Sequence, residues 1–225
     1  LATHKLLNHY QGQYPDLVKG VRNLLTRAGI ELVPKPLNIA FFDANYWQQH
    51  HAAVAWGYDV TDHPVVDGLR TAHFQQQQQV HNSRELLTAI EHARPGTDIV
   101  LMPGRYRVAQ KYIRTQTGGT SLEPIRVRAQ HPGAATLEFD TREGWLIAHP
   151  YWIFENLRIE GRCSNHNRCD HAFHVIGDGR NTVINNNELV DFNAAIKING
   201  IKRKRQYPDY GLVINNAIYN RSPRK

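Results

Sequence analysis

The chain has 225 residues, of which 41% are hydrophobic and 21% charged, enough to bury a core and unlike either a disordered tail or a membrane bundle. Lys and Arg outnumber Asp and Glu by 27 to 20, a net charge of +7 to which 13 histidines add under mild acid. Such a surface draws polyanions without choosing among nucleic acid, acidic glycans and anionic membranes.

No apolar run nears the roughly 20 residues that cross a bilayer, so we read no transmembrane segment in this chain. It opens on Leu1 rather than Met, read as a removed leader or a piece of something longer. Residues 15–29 predict a helix: Pro15 suits a first turn, Leu17, Val21, Leu24, Leu25 and Ala28 share one face, and Gly29 stops it. Its face either packs on protein or, less favoured by three basic residues alone, lies on a membrane surface. The aromatic segment 41–47 reads as core before sugar-stacking surface. The glutamines at 75–79 read as a polar linker. The domain reading is therefore a helical and irregular region over 1–74, a linker over 75–82 and one domain over 83–225.

From residue 83 the pattern sharpens. Ser83 suits an N-cap, with Leu86, Leu87, Ile90 and Ala93 forming a stripe that ends at Arg94-Pro95-Gly96. Short β runs follow at Ile99-Val100-Leu101, Ile125-Arg126-Val127-Arg128, Trp145-Leu146-Ile147 and Trp152-Ile153-Phe154, each closed by a turn. Cys163 and Cys169 stand six apart in a polar stretch. They fit a local disulfide, free thiols, or a metal site completed by His166 and His171. A bridge there would suit an oxidising compartment.

Self-similarity decides the fold. Val183-Ile184-Asn185-Asn186 recurs as Val213-Ile214-Asn215-Asn216, with a weaker copy at Ile153-Phe154-Glu155-Asn156 and a one-residue ambiguity in register. Phe173-His174-Val175 likewise resembles Ile196-Lys197-Ile198. Short-strand repeats of this length mean a solenoid or propeller. Asn at the bends tolerates a left-handed backbone and can stack coil on coil, so Asn156, Asn186 and Asn216 are expected to form a ladder. The prediction is an all-β solenoid, a right-handed parallel β-helix of about four coils over residues 97–220, with an N-terminal helical cap and a mixed N-terminal extension. Strand alternation points Phe173, Val175, Ile196 and Ile198 inward and sets His174 beside Lys197 on an outer face.

Residues 83–200 resemble the right-handed parallel β-helix proteins of the pectate lyase-like superfamily, particularly the chondroitinase B and alginate lyase group. The likeness lies in the cap helix, in Pro95-Gly96-Thr97-Asp98-Ile99-Val100-Leu101 with Gly104 and Tyr106, in Gly119-Thr120 before Pro124-Ile125-Arg126-Val127-Arg128-Ala129, and in Trp152-Ile153-Phe154-Glu155-Asn156-Leu157 with Gly161. The resemblance implies β-elimination on an acidic, uronic-acid polysaccharide, or binding of it by a non-catalytic scaffold of the same fold. It also implies secretion or a periplasmic location, with anchoring through a segment before Leu1 as one form. In that group calcium neutralises the substrate carboxylate, and Lys and Arg move the protons. No cofactor is evident in this chain, calcium is expected only of a full-length parent, and no catalytic residue carries over by position.

The candidate substrate-binding residues are Lys197, Lys202, Arg203, Lys204, Arg205 and His174. Four consecutive cations can hold carboxylates or sulfates, with Tyr207 and Tyr210 near enough to stack on sugars, although such a run can also be a solvated face. His174 beside Lys197 could act as a base. A calcium set drawn from Asp170, Asp178, Glu188 or Asp191 lacks EF-hand spacing. Nucleic acid ranks last among partners, since no recognition motif accompanies the charge. The last coil is expected to need cover from further sequence, a partner or self-association, and the chain as given is not expected to turn over substrate.

Overall fold

The computed structural model describes residues 72–109, 112–165 and 168–222. The helix expected over 15–29, the aromatic segment 41–47 and His166 lie outside the described residues.

The chain winds as a stack of triangular coils. Strand β1 (Gln76–Val80) and helix α1 (Ser83–His92) come first. The first full coil holds β2 (Thr97–Leu101), β3 (Gly104–Val108) and β4 (Ile113–Arg114), and the second β5 (Ile125–Ala129), β6 (Ala135–Phe139) and β7 (Glu143–Ile147). The third holds β8 (Trp152–Glu155), β9 (Arg158–Gly161) and β10 (His171–Ile176), and the fourth β11 (Val183–Asn185), β12 (Glu188–Val190) and β13 (Ile196–Asn199). Strands β14 (Leu212–Ile214) and β15 (Ala217–Tyr219) begin a fifth turn. Equivalent strands pair in parallel into sheet A (β1-β2-β5-β8-β11-β14), sheet B (β3-β6-β9-β12-β15) and sheet C (β4-β7-β10-β13). Down sheet A, Asp98 pairs with Arg126, Arg126 with Ile153, Ile153 with Val183 and Val183 with Leu212. This is the parallel β-helix that the repeat predicts.

The glutamine run is not a linker. Gln76 to Val80 pair residue for residue with Thr97 to Leu101, and Gln77 Nε2 donates to Asp98 at 3.2 Å. Parallel pairing needs only backbone groups, and an edge strand gains by being polar; a run of one residue type shows no alternation, so its strand character is invisible to periodicity. Helix α1 then turns Leu86, Ala89 and Ile90 onto β1, β2 and β3. Its N-cap is Asn82, one residue before the expected Ser83. Asn82 Oδ1 accepts from Glu85 N at 3.0 Å while Glu85 reaches back to His81 N at 2.7 Å, a variant of the capping box.

Aromatic rings fill the second and third coils. Trp145 and Phe154 lie 4.8 Å apart between centroids, Phe154 and Phe173 5.2 Å, and Trp152 stacks on Phe154 at 5.8 Å. All four are fully buried, each worth about 2–3 kcal/mol in apolar transfer. The apolar column ends in the open: the inward positions Ile198, Val213 and Ile218 are 51%, 45% and 55% exposed, although their register partners Val175, Ile184 and Leu189 are buried.

Two corners of the coil repeat a left-handed residue. At the bend from sheet A to sheet B it is Asn156, Asn186 and Asn215, with φ of 63°, 51° and 58°. Asn186 bonds Asn156, as the ladder predicts, but the third left-handed residue is Asn215 rather than Asn216, because the register pairs Ile184 with Val213, and its amide donates to Asn185 at 3.3 Å instead of to Asn186. At the bend from sheet C to sheet A the equivalent positions are Tyr151, Asn181 and Tyr210. Cys163 and Cys169 are joined as a disulfide, with Cα atoms 5.7 Å apart, which removes the free-thiol and metal alternatives.

Candidate functional site

Sheet C carries two of the candidate residues, His174 and Lys197. Its inward row runs Ile113, Trp145, Phe173, Ile196, and its outward row Arg114, Leu146, His174, Lys197. His174 and Lys197 are thus register neighbours on the outer face, as the alternation requires. Their environments differ. Lys197 is exposed, and among the described residues no carboxylate pairs with it. His174 is only 6% exposed, which corrects the expectation of a histidine open to ligand.

The burial of His174 has a structural cause. Its Nε2 lies 2.7 Å from Asn199 Oδ1, while Asn199 Nδ2 donates to Gly200 O at 3.3 Å. That second bond orients the amide, so Nε2 carries the hydrogen and donates it. The other nitrogen, Nδ1, sits 3.1 Å from Glu143 Oε1 but off the angle a hydrogen bond needs, and is left buried without one. The His171 ring stands edge-on, 5.7 Å away. His174 thus forms the wall behind Glu143 rather than a contact surface.

Glu143 opens into a groove of about 650 Å³. Successive coils contribute the residues at the start of their sheet C strands: Tyr112 from the first, Arg142 and Glu143 from the second, Asp170 and His171 from the third, Asn193, Ala194 and Lys197 from the fourth. The groove therefore runs along the solenoid axis, and three strand spacings give it a length of about 14 Å. Arg142 Nε donates to Asp170 at 2.6 Å and Asn193 Nδ2 at 3.0 Å. Burial acts to raise the Asp170 pKa, but these donors outweigh it and hold the carboxyl below its usual range. Arg142 and Asp170 neutralise each other, which leaves Lys197 as the unpaired cation of the groove among the described residues. Apart from Lys197, and from Asp170 and His171, which the sequence offers only as metal ligands, these lining residues escape a reading by motif. Their common position ahead of each sheet C strand is the only signal, and it shows only when the weak first and second coils are aligned.

The basic run follows β13 directly. Lys202–Lys204 forms a 3₁₀ turn ended by Arg205 at φ 51°, and an antiparallel bridge between Ile201 and Gln206 closes it. All four cations are exposed, and none has a carboxylate partner among the described residues. Tyr207 and Tyr210 beside it are 48% and 60% exposed.

The acids considered for calcium do not converge. Asp170 pairs with Arg142, Asp178 with Arg180, Glu188 with Arg158 and Asp191 with Arg221. Among the described residues no group of three His, Cys, Asp or Glu is arranged to hold a metal. Among them too, no helix is long and apolar enough to cross a membrane. Arg126 and Arg128 project outward from β5 but are tied down, Arg126 Nε to Asp98 at 2.8 Å and Arg128 Nη2 at 3.0 Å.

No protein-family model matches the chain, and no curated protein matches it in sequence. Among solved structures it is similar to an alginate lyase from Paenibacillus sp. str. FPU-7, with 16% identity and a TM-score of 0.44, over 66% of this chain and 58% of that one. The chain spans less than two thirds of that protein's length.

Proposed function

We propose that this β-helix binds an acidic polysaccharide along the axial groove of sheet C, with uronate carboxylates held by Lys197 and by Lys202, Arg203, Lys204 and Arg205. One observation carries the reading: Lys197 lines the axial groove and the 202–205 turn follows the end of the same strand, all five cations without carboxylate partners among the described residues, whereas Arg126 and Arg128 on the outer face of sheet A are paired with Asp98. A cleft along a solenoid axis suits a linear polymer, and unpaired cations suit its charge. β-Elimination is the chemistry that the resemblance of residues 83–200 implies. It requires a neutralised carboxylate, a base and a proton donor, and the groove offers Lys197 with the titratable Tyr112, Glu143 and His171. The burial of His174 favours the second reading, a non-catalytic glycan-binding scaffold, because it withdraws the base first considered on this row.

Binding of alginate oligosaccharides tests the first claim. K197A and the fourfold alanine variant of 202–205 should each weaken binding and flatten its salt dependence; unchanged affinity in both would return the cations to a solvated face. Absorbance of the unsaturated product separates the readings: turnover supports elimination, and binding without turnover supports the scaffold.

A further inference from the structure

The outer face of sheet B is built from layered charge. Register sets Glu138 of β6 against Arg107 of β3 on one side and Glu160 of β9 on the other. Two carboxylates side by side repel, and arginines compensate them. Glu138 is held by Arg105, by Arg107 Nε at 3.0 Å and by Arg162 Nη2 at 3.2 Å. Glu160 is shared by Arg158, Arg162 and Arg221. Burial acts to raise the Glu138 pKa, but its arginines keep it below the usual range.

The layering is polarised. The side chains of Glu138 and Glu160 are 6% and 4% exposed, whereas those of Arg107, Arg162 and Arg221 are 85%, 44% and 43% exposed. Solvent meets guanidinium, and the carboxylates lie beneath. The arginines are also only partly used. Arg107 gives Glu138 its Nε alone, and Nη1 of Arg162 and of Arg221 has no partner among the described residues. Between Arg162 and Arg221 lies a cavity of about 360 Å³, with Ser222, Asp191 and the Cys163–Cys169 disulfide on its walls. Asp191 spends one oxygen on Arg221 N at 2.9 Å and the other on Arg221 Nε at 2.6 Å.

We propose that this face is a second anion site, which takes the sulfate or carboxylate groups of an acidic polysaccharide and seats one of them in the cavity between Arg162 and Arg221. A guanidinium fork matches both oxyanions with two parallel hydrogen bonds. Because the buried carboxylates already order the side chains, little rotamer freedom is lost on binding. The site lies on sheet B and stands whether or not the sheet C groove binds a ligand.

Equilibrium binding of heparin and alginate oligosaccharides to the 225-residue protein tests it. R107Q removes a solvent-facing fork and leaves Glu138 with Arg105 and Arg162; R221K keeps the charge over Glu160 and Asp191 but loses the fork. Each should weaken heparin binding roughly threefold to tenfold, with an unchanged melting temperature for R107Q, and the effects should add to that of the fourfold alanine variant of 202–205. Loss on heparin alone identifies sulfate as the ligand group, and loss on both identifies the shared oxyanion chemistry. If R107Q and R221K bind both probes as the unaltered protein does, the face is a structural ion ladder only. Equal competition by duplex DNA would also overturn the proposal, by reducing it to unspecific polyanion attraction. K197A separates the two surfaces: loss of binding there with R107Q and R221K unaffected leaves the groove standing and removes this site.

Discussion

Asn186 donates from Nδ2 to Oδ1 of Asn156 across 2.8 Å, with both backbones left-handed. The bond links the same corner of two successive coils. One residue on, the side chains do different work. Asn187 accepts from Leu157 N at 3.1 Å and donates to Phe154 O at 3.0 Å, inside the solenoid. Asn216 repeats this one coil later, accepting from Asn187 N at 2.9 Å and donating to Ile184 O at 2.8 Å. The outer amide ties corner to corner, and the inner one satisfies backbone groups that the bend leaves out of the sheet.

N187A should therefore cost more than N186G. The first leaves the Leu157 N–H and the Phe154 carbonyl buried without partners, a loss of about 2–4 kcal/mol at 1–3 per group. The second loses one amide bond while keeping a residue at ease with positive φ, a loss of about 1 kcal/mol. Urea midpoints of the two variants measure the difference, and equal midpoints would refute the division of labour.

Glu155 makes stability depend on pH. Burial pushes its pKa up despite the nearby Arg126 and Arg128, which are already engaged by Asp98. The folded chain thus holds this proton more tightly than the unfolded chain, so ionised Glu155 costs stability. That cost is absent below the ordinary carboxylate range, grows as pH rises through it, and levels off above the raised folded value. E155Q should melt roughly 2–4 °C higher than the unaltered protein at neutral pH, the shift that about 1 kcal/mol makes in a domain of this size, and the gap should close near pH ~3. A gap that stayed constant with pH would show that the gain does not come from ionisation.

Tyr210, 60% exposed, holds φ at 57°, a backbone that suits Asn at the equivalent position 181. Left-handed geometry costs an ordinary residue about 1–2 kcal/mol, and Asn recovers part of it. Y210N should raise the melting temperature by roughly 2 °C. A lower melting temperature would mean that the ring contributes packing worth more than the strain. The same variant in the alginate assay reports whether the ring stacks on sugar.

The apolar alternation, the Asn at the bends and the repeat of Val-Ile-Asn-Asn were enough to determine a parallel β-helix and the faces of the strands around His174 and Lys197, because period and turn chemistry are local properties. They also determined that His174 and Lys197 are neighbours, which follows from stacking equivalent strands. Three things were decided only by the tertiary structure. The strand at Gln76–Val80 exists because β2 offers a partner edge, and no side-chain pattern encodes that. The third left-handed corner falls on Asn215 because register depends on the length of the excursion between coils, which the Ile-Asn-Asn repeat leaves ambiguous by one residue. The groove and the arginine face arise from residues that sit far apart in the chain and have no common motif. Their convergence depends on how many residues each coil spends at its corners, and only the folded solenoid sums those lengths.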